Sequence, residues 1–252
     1  MAGIQTPIST WQTAVLANLL IFTVGSPILV SGLSLHGIAA AFLLGTLTWR
    51  SFGSNYFILV AAYFVIGTAA TKVKMAQKES QGIAEKRKGR RGPRSVFGSS
   101  AAGILCAILR INCVGGEDFA HLWELGFIAS FCTKLCDTVS SEIGKAFGKT
   151  TYLITSLKKV PRGSEGGVSI EGTVAGVVAS SILACVGCLM GEQISWGEGM
   201  ICVLASVFAN VVESIIGATF QEKEGFLWLN NDAVNVINIS MGTLFAIIIK
   251  HI

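Results

Sequence analysis

A chain of 252 residues is long enough for one or two soluble domains, but 52% hydrophobic against 13% charged residues leaves too little polar surface to face water. The net charge of +4 at neutral pH is modest, and its value lies in how the cations are distributed. A soluble α/β protein with buried strands is excluded because the apolar runs approach the ~20 residues that cross a ~30 Å hydrocarbon core.

In chain order, the apolar blocks predict membrane spans at 13–30, 33–49, 55–71, 96–111, 119–136, 173–191, 200–219 and 234–250. The second and fourth are short and polar-edged, so the expected fold is an all-α, polytopic transmembrane helix bundle of seven or eight spans. Residues 1–252 form a single integral membrane domain, with a basic inner loop at 72–95 and an active-site inner loop at 137–172. Within the first loop, 72–85 is expected to form an amphipathic helix, followed by a basic segment broken by Gly89, Gly92 and Pro93. Residues 1–12 contain no Lys or Arg and match neither a signal peptide nor an Arg-rich transit peptide, which favours a bacterial or already mature chain.

With eight spans and both termini outside, the inner segments hold 16 of the 19 Lys and Arg residues, leaving only Arg50, Arg110 and Lys250 elsewhere. This positive-inside asymmetry orients the bundle with its long loops in the cytoplasm or stroma, and Glu117 and Glu192 on the opposite side. The outer half is expected to be nearly free of charge. A short echo between the Pro93-Arg94 and Pro161-Arg162 segments, each followed by a span that begins with small residues, suggests a duplication. The seven cysteines fall mostly in spans, and Cys185 and Cys188 lack a second pair to complete a zinc set, so they read as packing residues. The three histidines offer no catalytic triad.

The chemistry gathers at the inner boundary. On a helix leaving the membrane, Asp137, Ser141, Gly144 and Gly148 share one stripe, and Thr138, Ser141, Glu142 and Lys145 share the next. Hard carboxylate and hydroxyl oxygens in that arrangement suit Mg²⁺. The following loop carries Arg162, Ser164 and Glu165 among glycines, a composition that can cradle phosphate although it is no Walker A motif. Glu213, in the seventh span, costs roughly 2.5 kcal/mol or more to place in hydrocarbon, so it must face the bundle interior. Asn231, Asn235, Asn238 and Gly242 form a polar stripe beside Asp232 on the eighth span, whereas Gly172, Gly176, Ser180 and Ala184 on the sixth form a small-residue stripe for helix packing.

The inventory therefore assigns Asp137, Glu142, Lys145, Glu213 and Asp232 to catalysis, with the four carboxylates also as metal ligands. Arg90, Arg91, Arg94, Ser141, Arg162, Ser164, Asn231 and Asn235 are expected to bind phosphate or substrate. Phosphoryl transfer needs little covalent chemistry from a protein beyond aligned reactants and neutralised phosphate oxygens, and these residue types supply both. Arg162 together with one of Arg90, Arg91 or Arg94 is expected to hold a second phosphate, that of a lipid acceptor. No nucleic-acid partner is expected.

Five blocks in order resemble the membrane family that contains the phytyl-phosphate kinases of plants and cyanobacteria. They are 89–94 (Gly-Arg-Arg-Gly-Pro-Arg), 137–145 (Asp-Thr-Val-Ser-Ser-Glu-Ile-Gly-Lys), 161–166 (Pro-Arg-Gly-Ser-Glu-Gly), 213–221 (Glu-Ser-Ile-Ile-Gly-Ala-Thr-Phe-Gln) and 231–235 (Asn-Asp-Ala-Val-Asn). The resemblance implies a kinase that moves a nucleotide's terminal phosphate onto phytyl monophosphate, giving the diphosphate used for tocopherol and phylloquinone synthesis in phytol salvage. A more distant similarity to phytol and dolichol kinases implies CTP, or another nucleoside triphosphate, as donor. A cytidylyltransferase acting on a lipid phosphate, an isoprenoid-phosphate or anion transporter, and a lipid-binding scaffold are the competing readings.

Overall fold

The computed structural model describes residues 9–190 and 194–252; Glu192, expected on the outer side, and most of the N-terminal segment lie outside the described residues. Helix α1 (Trp11–Val24) is capped by Thr10, whose hydroxyl accepts from the Thr13 backbone N–H. The chain bends by 79° into α2 (Ser26–Gly32), where Pro27 cannot continue the α1 hydrogen-bond ladder. Ser34 caps α3 (Leu35–Phe52), and Gly53, at φ 86°, supplies the tight turn into α4 (Ser54–Lys72). The inner loop holds α5 (Met75–Ser80) and a 3₁₀ turn (Lys86–Gly89), followed by α6 (Pro93–Gly98) and α7 (Ala101–Ile111). Then comes α8 (Gly116–Phe147), the longest helix at 32 residues. Three short strands follow, β1 (Thr151–Leu153), β2 (Lys159–Val160) and β3 (Gly167–Val168), before α9 (Ile170–Met190), α10 (Trp196–Thr219) and α11 (Asn231–His251).

Helix α8 is the axis of the bundle, packed against α4, α7, α9, α10 and α11. Every residue from 124 to 137 on it is buried. The surrounding helices turn apolar side chains outward, among them Leu16 and Leu20 of α1, Val174 and Leu189 of α9, Leu204 of α10 and Leu244 of α11. A belt of exposed aliphatic side chains around a polar axis suits lipid as the surrounding solvent.

The α8–α9 contact is set by glycine. A Cβ added to Gly172 would lie 2.4 Å from the Ser140 carbonyl oxygen, and one on Gly176 would lie 1.9 Å from the Ser140 Oγ. The small-residue stripe is a packing seam, as its spacing predicts.

Several expectations change. The helix α4, together with α9, α10 and α11, is long and apolar enough to cross a membrane, and the bent pair of α1 and α2 makes five. Seven or eight such spans are not confirmed. Helix α7 has 11 residues, about 16 Å of rise. Helix α8 carries too much charge to pass as an apolar span; wrapped by protein on all sides, its inner surface needs partners rather than hydrocarbon character.

The fold is also not purely helical, because 151–168 forms an antiparallel sheet of order β2-β1-β3 with Thr151 opposite Val160 and Tyr152 opposite Val168. The helix expected over 72–85 shrinks to the six residues of α5. The two Pro-Arg segments do not share local structure: Pro93 opens a helix, whereas Pro161 lies between β2 and β3 of the sheet. Four of the seven cysteines, Cys106, Cys132, Cys136 and Cys202, are buried as packing residues, whereas Cys113 and Cys185 are exposed and Cys188 is half-buried.

The outer end of the bundle is not charge-free. Arg110 pairs with Glu124 at 3.4 Å, both buried, and Glu198 takes a bond from His121 and pairs with Lys250 at 3.0 Å. These groups are far apart in sequence, so only the packing reveals them as pairs.

Candidate active site

At the inner end, the centre of the site is Lys134, 6% exposed on α8. One turn on, Asp137 lies against its ammonium, and from α11 the Asn235 Oδ1 accepts a second bond at 2.6 Å. Two helices thus satisfy one buried cation. From α10, Glu213 stands within electrostatic reach of Asp137, Lys134 and Glu165. Its neighbour Ser214 donates toward it at 3.5 Å, and Asn210, one turn earlier, donates to Ser140 of α8 at 3.2 Å. Ser141 is exposed, between Asp137 and Lys145 on the same α8 face, and opens the cluster to the protein surface.

Farther along α8, a second set of charges ties the basic loop down. Lys78, 0% exposed, donates to the Thr71 carbonyl at 2.7 Å and pairs with Glu142. Lys145 reaches Glu85 at 3.1 Å and Glu142 at 3.7 Å, while Lys74 lies 3.9 Å from the Phe147 ring centre. The Glu85 carboxyl feels burial, which raises its pKa, but the nearby Lys145 ammonium outweighs this and holds it below the usual carboxylate range. Glu165, in the turn before β3, is shifted the other way: burial raises its carboxyl, with Lys145 opposing.

The loop 72–95 is therefore not a free basic arm. Arg91 is fixed by its backbone, which donates to the Gly32 carbonyl at 2.9 Å and accepts from the Ser34 N–H at 3.0 Å. Its guanidinium donates to the Tyr63 hydroxyl at 3.2 Å. Both Arg91 and Tyr63 lie within electrostatic reach of Lys134.

The structure thus brings Asp137, Asn235 and Glu213 together, with Arg91 beside them. Glu142 and Lys145 belong to the neighbouring ion-pair set. Asp232 is half-buried against Gly98, and Asn231 is exposed at the start of α11, whose N-terminal N–H groups are capped by Asn230. Arg90 and Arg94 are exposed and Arg162 is half-buried; none has a protein partner among the described residues. Ser164 spends its hydroxyl hydrogen on the Pro161 carbonyl at 2.8 Å, shaping the turn rather than facing a ligand.

The expected four-carboxylate metal site is not assembled. Among the described residues no three Asp, Glu, Cys or His side chains converge as a ligand set. Asp137 and Glu142 are instead held by lysines. Sequence reasoning passed over Lys134, Lys78 and Tyr63. For Lys134 a signal existed, because a Lys and an Asp three residues apart at the end of an apolar run must neutralise each other; for Lys78 and Tyr63 none did.

The integral membrane protein family DUF92 matches residues 18–243. The chain is 68% identical over 251 residues to the protein named VTE6, chloroplastic, of Arabidopsis thaliana, covering 100% of this chain and 75% of that one. An uncharacterized membrane protein of Synechocystis is 43% identical over 94% of this chain and 90% of its own. Another, of Methanocaldococcus jannaschii, is 30% identical over 85% and 84%. Identity to the plant protein thus exceeds identity to the cyanobacterial one. No solved structure matches. The chain belongs to the DUF92 integral membrane protein family, and with it to the plant and cyanobacterial membrane proteins that its five sequence blocks resemble.

Proposed function

We propose that this protein is a prenyl-phosphate kinase that transfers the terminal phosphate of CTP or another nucleoside triphosphate to phytyl monophosphate. The observation that carries this reading is the buried Lys134, held by Asp137 and Asn235 beside Arg91 and Glu213 at one end of a lipid-facing bundle. In the transfer, an oxygen of the acceptor phosphate forms a bond to the terminal phosphorus as the bond to the bridging oxygen breaks. Prenyl diphosphate and nucleoside diphosphate result. A phosphate oxygen is already ionised near neutral pH, so the step needs no strong general base, in keeping with a site built from cations and amides rather than histidine.

Lys134 and Arg91 are suited to neutralise phosphate oxygens as charge shifts to the leaving group. Magnesium fits as part of the nucleotide substrate, touched by one or two carboxylates such as Asp137 or Glu213, rather than as a resident four-carboxylate centre. A relative named as chloroplastic supports a thylakoid or other plastid membrane, and the concentration of Lys and Arg on the Lys134 side supports that end facing the stroma.

The test is to incubate the purified protein with Mg²⁺, phytyl monophosphate and each terminally labelled nucleotide. Label in phytyl diphosphate supports the kinase; retention of the nucleotide on the lipid with release of inorganic diphosphate identifies the cytidylyltransferase. Phytol phosphorylated as fast as phytyl monophosphate, or no product with any donor, refutes the reading. A second reading, a carrier of isoprenoid phosphates, is favoured by the buried Arg110–Glu124 pair in the outer half. Nucleotide-independent uptake into proteoliposomes would select it.

A further inference from the structure

From Lys86 to Arg94 the chain carries six cations and no carboxylate, and the next acidic residue along the sequence is Glu117. One of the six, Arg91, belongs to the site already described. The side chains of Lys86, Arg87, Lys88, Arg90 and Arg94 are exposed and have no hydrogen-bond or ion-pair partner among the described residues. Glu85, the acid that adjoins them, is taken up by Lys145. Like charges this close repel one another, and no paired carboxylate offsets the cost.

The strip does not hang free. At its start Arg87 and Lys88 adopt left-handed backbone, at φ 57° and 53°, and Gly89 follows at 75°. After this turn the Arg87 guanidinium lies over Gly92, where an added Cβ would be 3.0 Å from its Nη1. Farther on, Arg91 is tied by its backbone to Gly32 and Ser34 at the junction of α2 and α3. The contact is tight, because a Cβ on Gly37 would lie 2.3 Å from the Arg91 carbonyl oxygen. The cations are therefore held in place before any ligand arrives.

Beside them lies hydrocarbon. Val30 of α2 and Leu35 of α3 flank the residues that hold Arg91, and both are exposed, as is Phe97 on α6. Arg94 and Phe97 are three residues apart on α6, so a guanidinium and a ring share one face. Cations next to outward apolar side chains suit a headgroup layer, where aliphatic stems lie against acyl chains and charged ends reach phosphate. A free nucleotide offers no hydrocarbon to set against those side chains.

We propose that Arg87, Arg90 and Arg94 bind the phosphate of an anionic phospholipid from the inner leaflet of the membrane that the protein spans, with its acyl chains against Val30, Leu35 and Phe97. This lipid is not consumed, and the inference rests on the membrane setting rather than on the kinase reading. A guanidinium offers paired donors to phosphate oxygens, whereas an ammonium acts as a point charge; the arginines thus supply the bonding, and Lys86 and Lys88 add attraction. A bound phosphodiester relieves the repulsion within the strip and steadies the backbone that carries Arg91.

The experiment reconstitutes the full chain in phosphatidylcholine vesicles with spin-labelled phosphatidylglycerol or spin-labelled phosphatidylcholine, and electron spin resonance reads the motionally restricted fraction of each label. Phosphatidylglycerol should be held about threefold more strongly, and about 0.5 M NaCl should remove most of that preference. Arg87→Gln, Arg90→Gln and Arg94→Gln together should bring the ratio to about one. Lys149→Gln, Lys158→Gln and Lys159→Gln together, an equal change of charge on other exposed residues, should leave it unchanged. Replacing the three arginines with lysine should retain about half of the preference, and this variant decides the matter if the glutamine variant does not fold. No preference in the wild type, none in the lysine variant, or an equal loss in both glutamine triples overturns the site. Displacement of labelled phosphatidylglycerol by CTP at fixed ionic strength also overturns it and makes the strip a nucleotide site. No turnover is measured, so failure of the kinase reading leaves the result untouched.

Discussion

Replacing Asp137 with Asn leaves the Lys134 ammonium in a buried setting with its counter-charge removed and only the Asn235 oxygen facing it. Breaking a buried ion pair from one side costs about 3–5 kcal/mol, because the desolvation of the surviving charge is no longer offset. Asn235→Ala removes one hydrogen bond to a charged group and leaves the pair, a loss of about 1.5–3 kcal/mol. The structure therefore predicts an order: Asp137→Asn is more damaging than Asn235→Ala. Replacing both charges at once, as in Lys134→Met with Asp137→Leu, removes the uncompensated charge and should recover most of the stability lost in Asp137→Asn. Reversible unfolding in mixed SDS micelles measures all four proteins, and phosphate transfer is assayed in parallel. The double variant should fold and be inactive. An Asp137→Asn protein within 1 kcal/mol of wild type, or a double variant no more stable than it, would refute the pairing argument. Retained turnover in the double variant would make the pair structural only.

Three further outcomes are expected. Gly176→Ala should cost about 1–3 kcal/mol or more by forcing α8 and α9 apart, whereas Gly187→Ala, whose nearest contact would be the Ile128 side chain at 3.3 Å, should be far milder in the same unfolding assay. Because the Glu85 carboxyl titrates below its ordinary value of 4.5, its pairing with Lys145 stabilises fully above that pH and fades as pH falls through the lowered value. The difference in thermal midpoint between wild type and Glu85→Gln should thus be flat from pH 5 to 8 and shrink below about pH 4; a difference that instead grows on acidification contradicts the pairing. Single cysteines replacing Lys158 and Glu117 should react with impermeant maleimide from opposite sides of the membrane, and equal labelling from one side would overturn the orientation.

The small-residue register of α9, the helical stripe that carries Asp137 and Ser141 and the membrane setting were all legible in the sequence, because each follows from local periodicity or from blocks of apolar residues. Residues 137–147 are helical and Glu213 sits beside the Asp137 cluster, as their spacing and the cost of a charge in lipid require. Other features depended on which helix lies next to which. A hydropathy scan treats every apolar run as facing lipid, yet α8 faces protein, so its lysine and carboxylates are solvated by α5, α7 and α11 rather than held at a membrane boundary. For the same reason, two of the four carboxylates that share an inner boundary in sequence, Asp137 and Glu142, go to different lysines, with Lys78, 64 residues from Glu142, taking a ligand that the local pattern had assigned to metal. The buried Arg110–Glu124 pair likewise exists only once α7 and α8 are packed. Local periodicity determined the helices and their polar faces; the partners of each buried charge were decided by tertiary contact, because desolvation and pairing energies depend on neighbours that sequence distance does not encode.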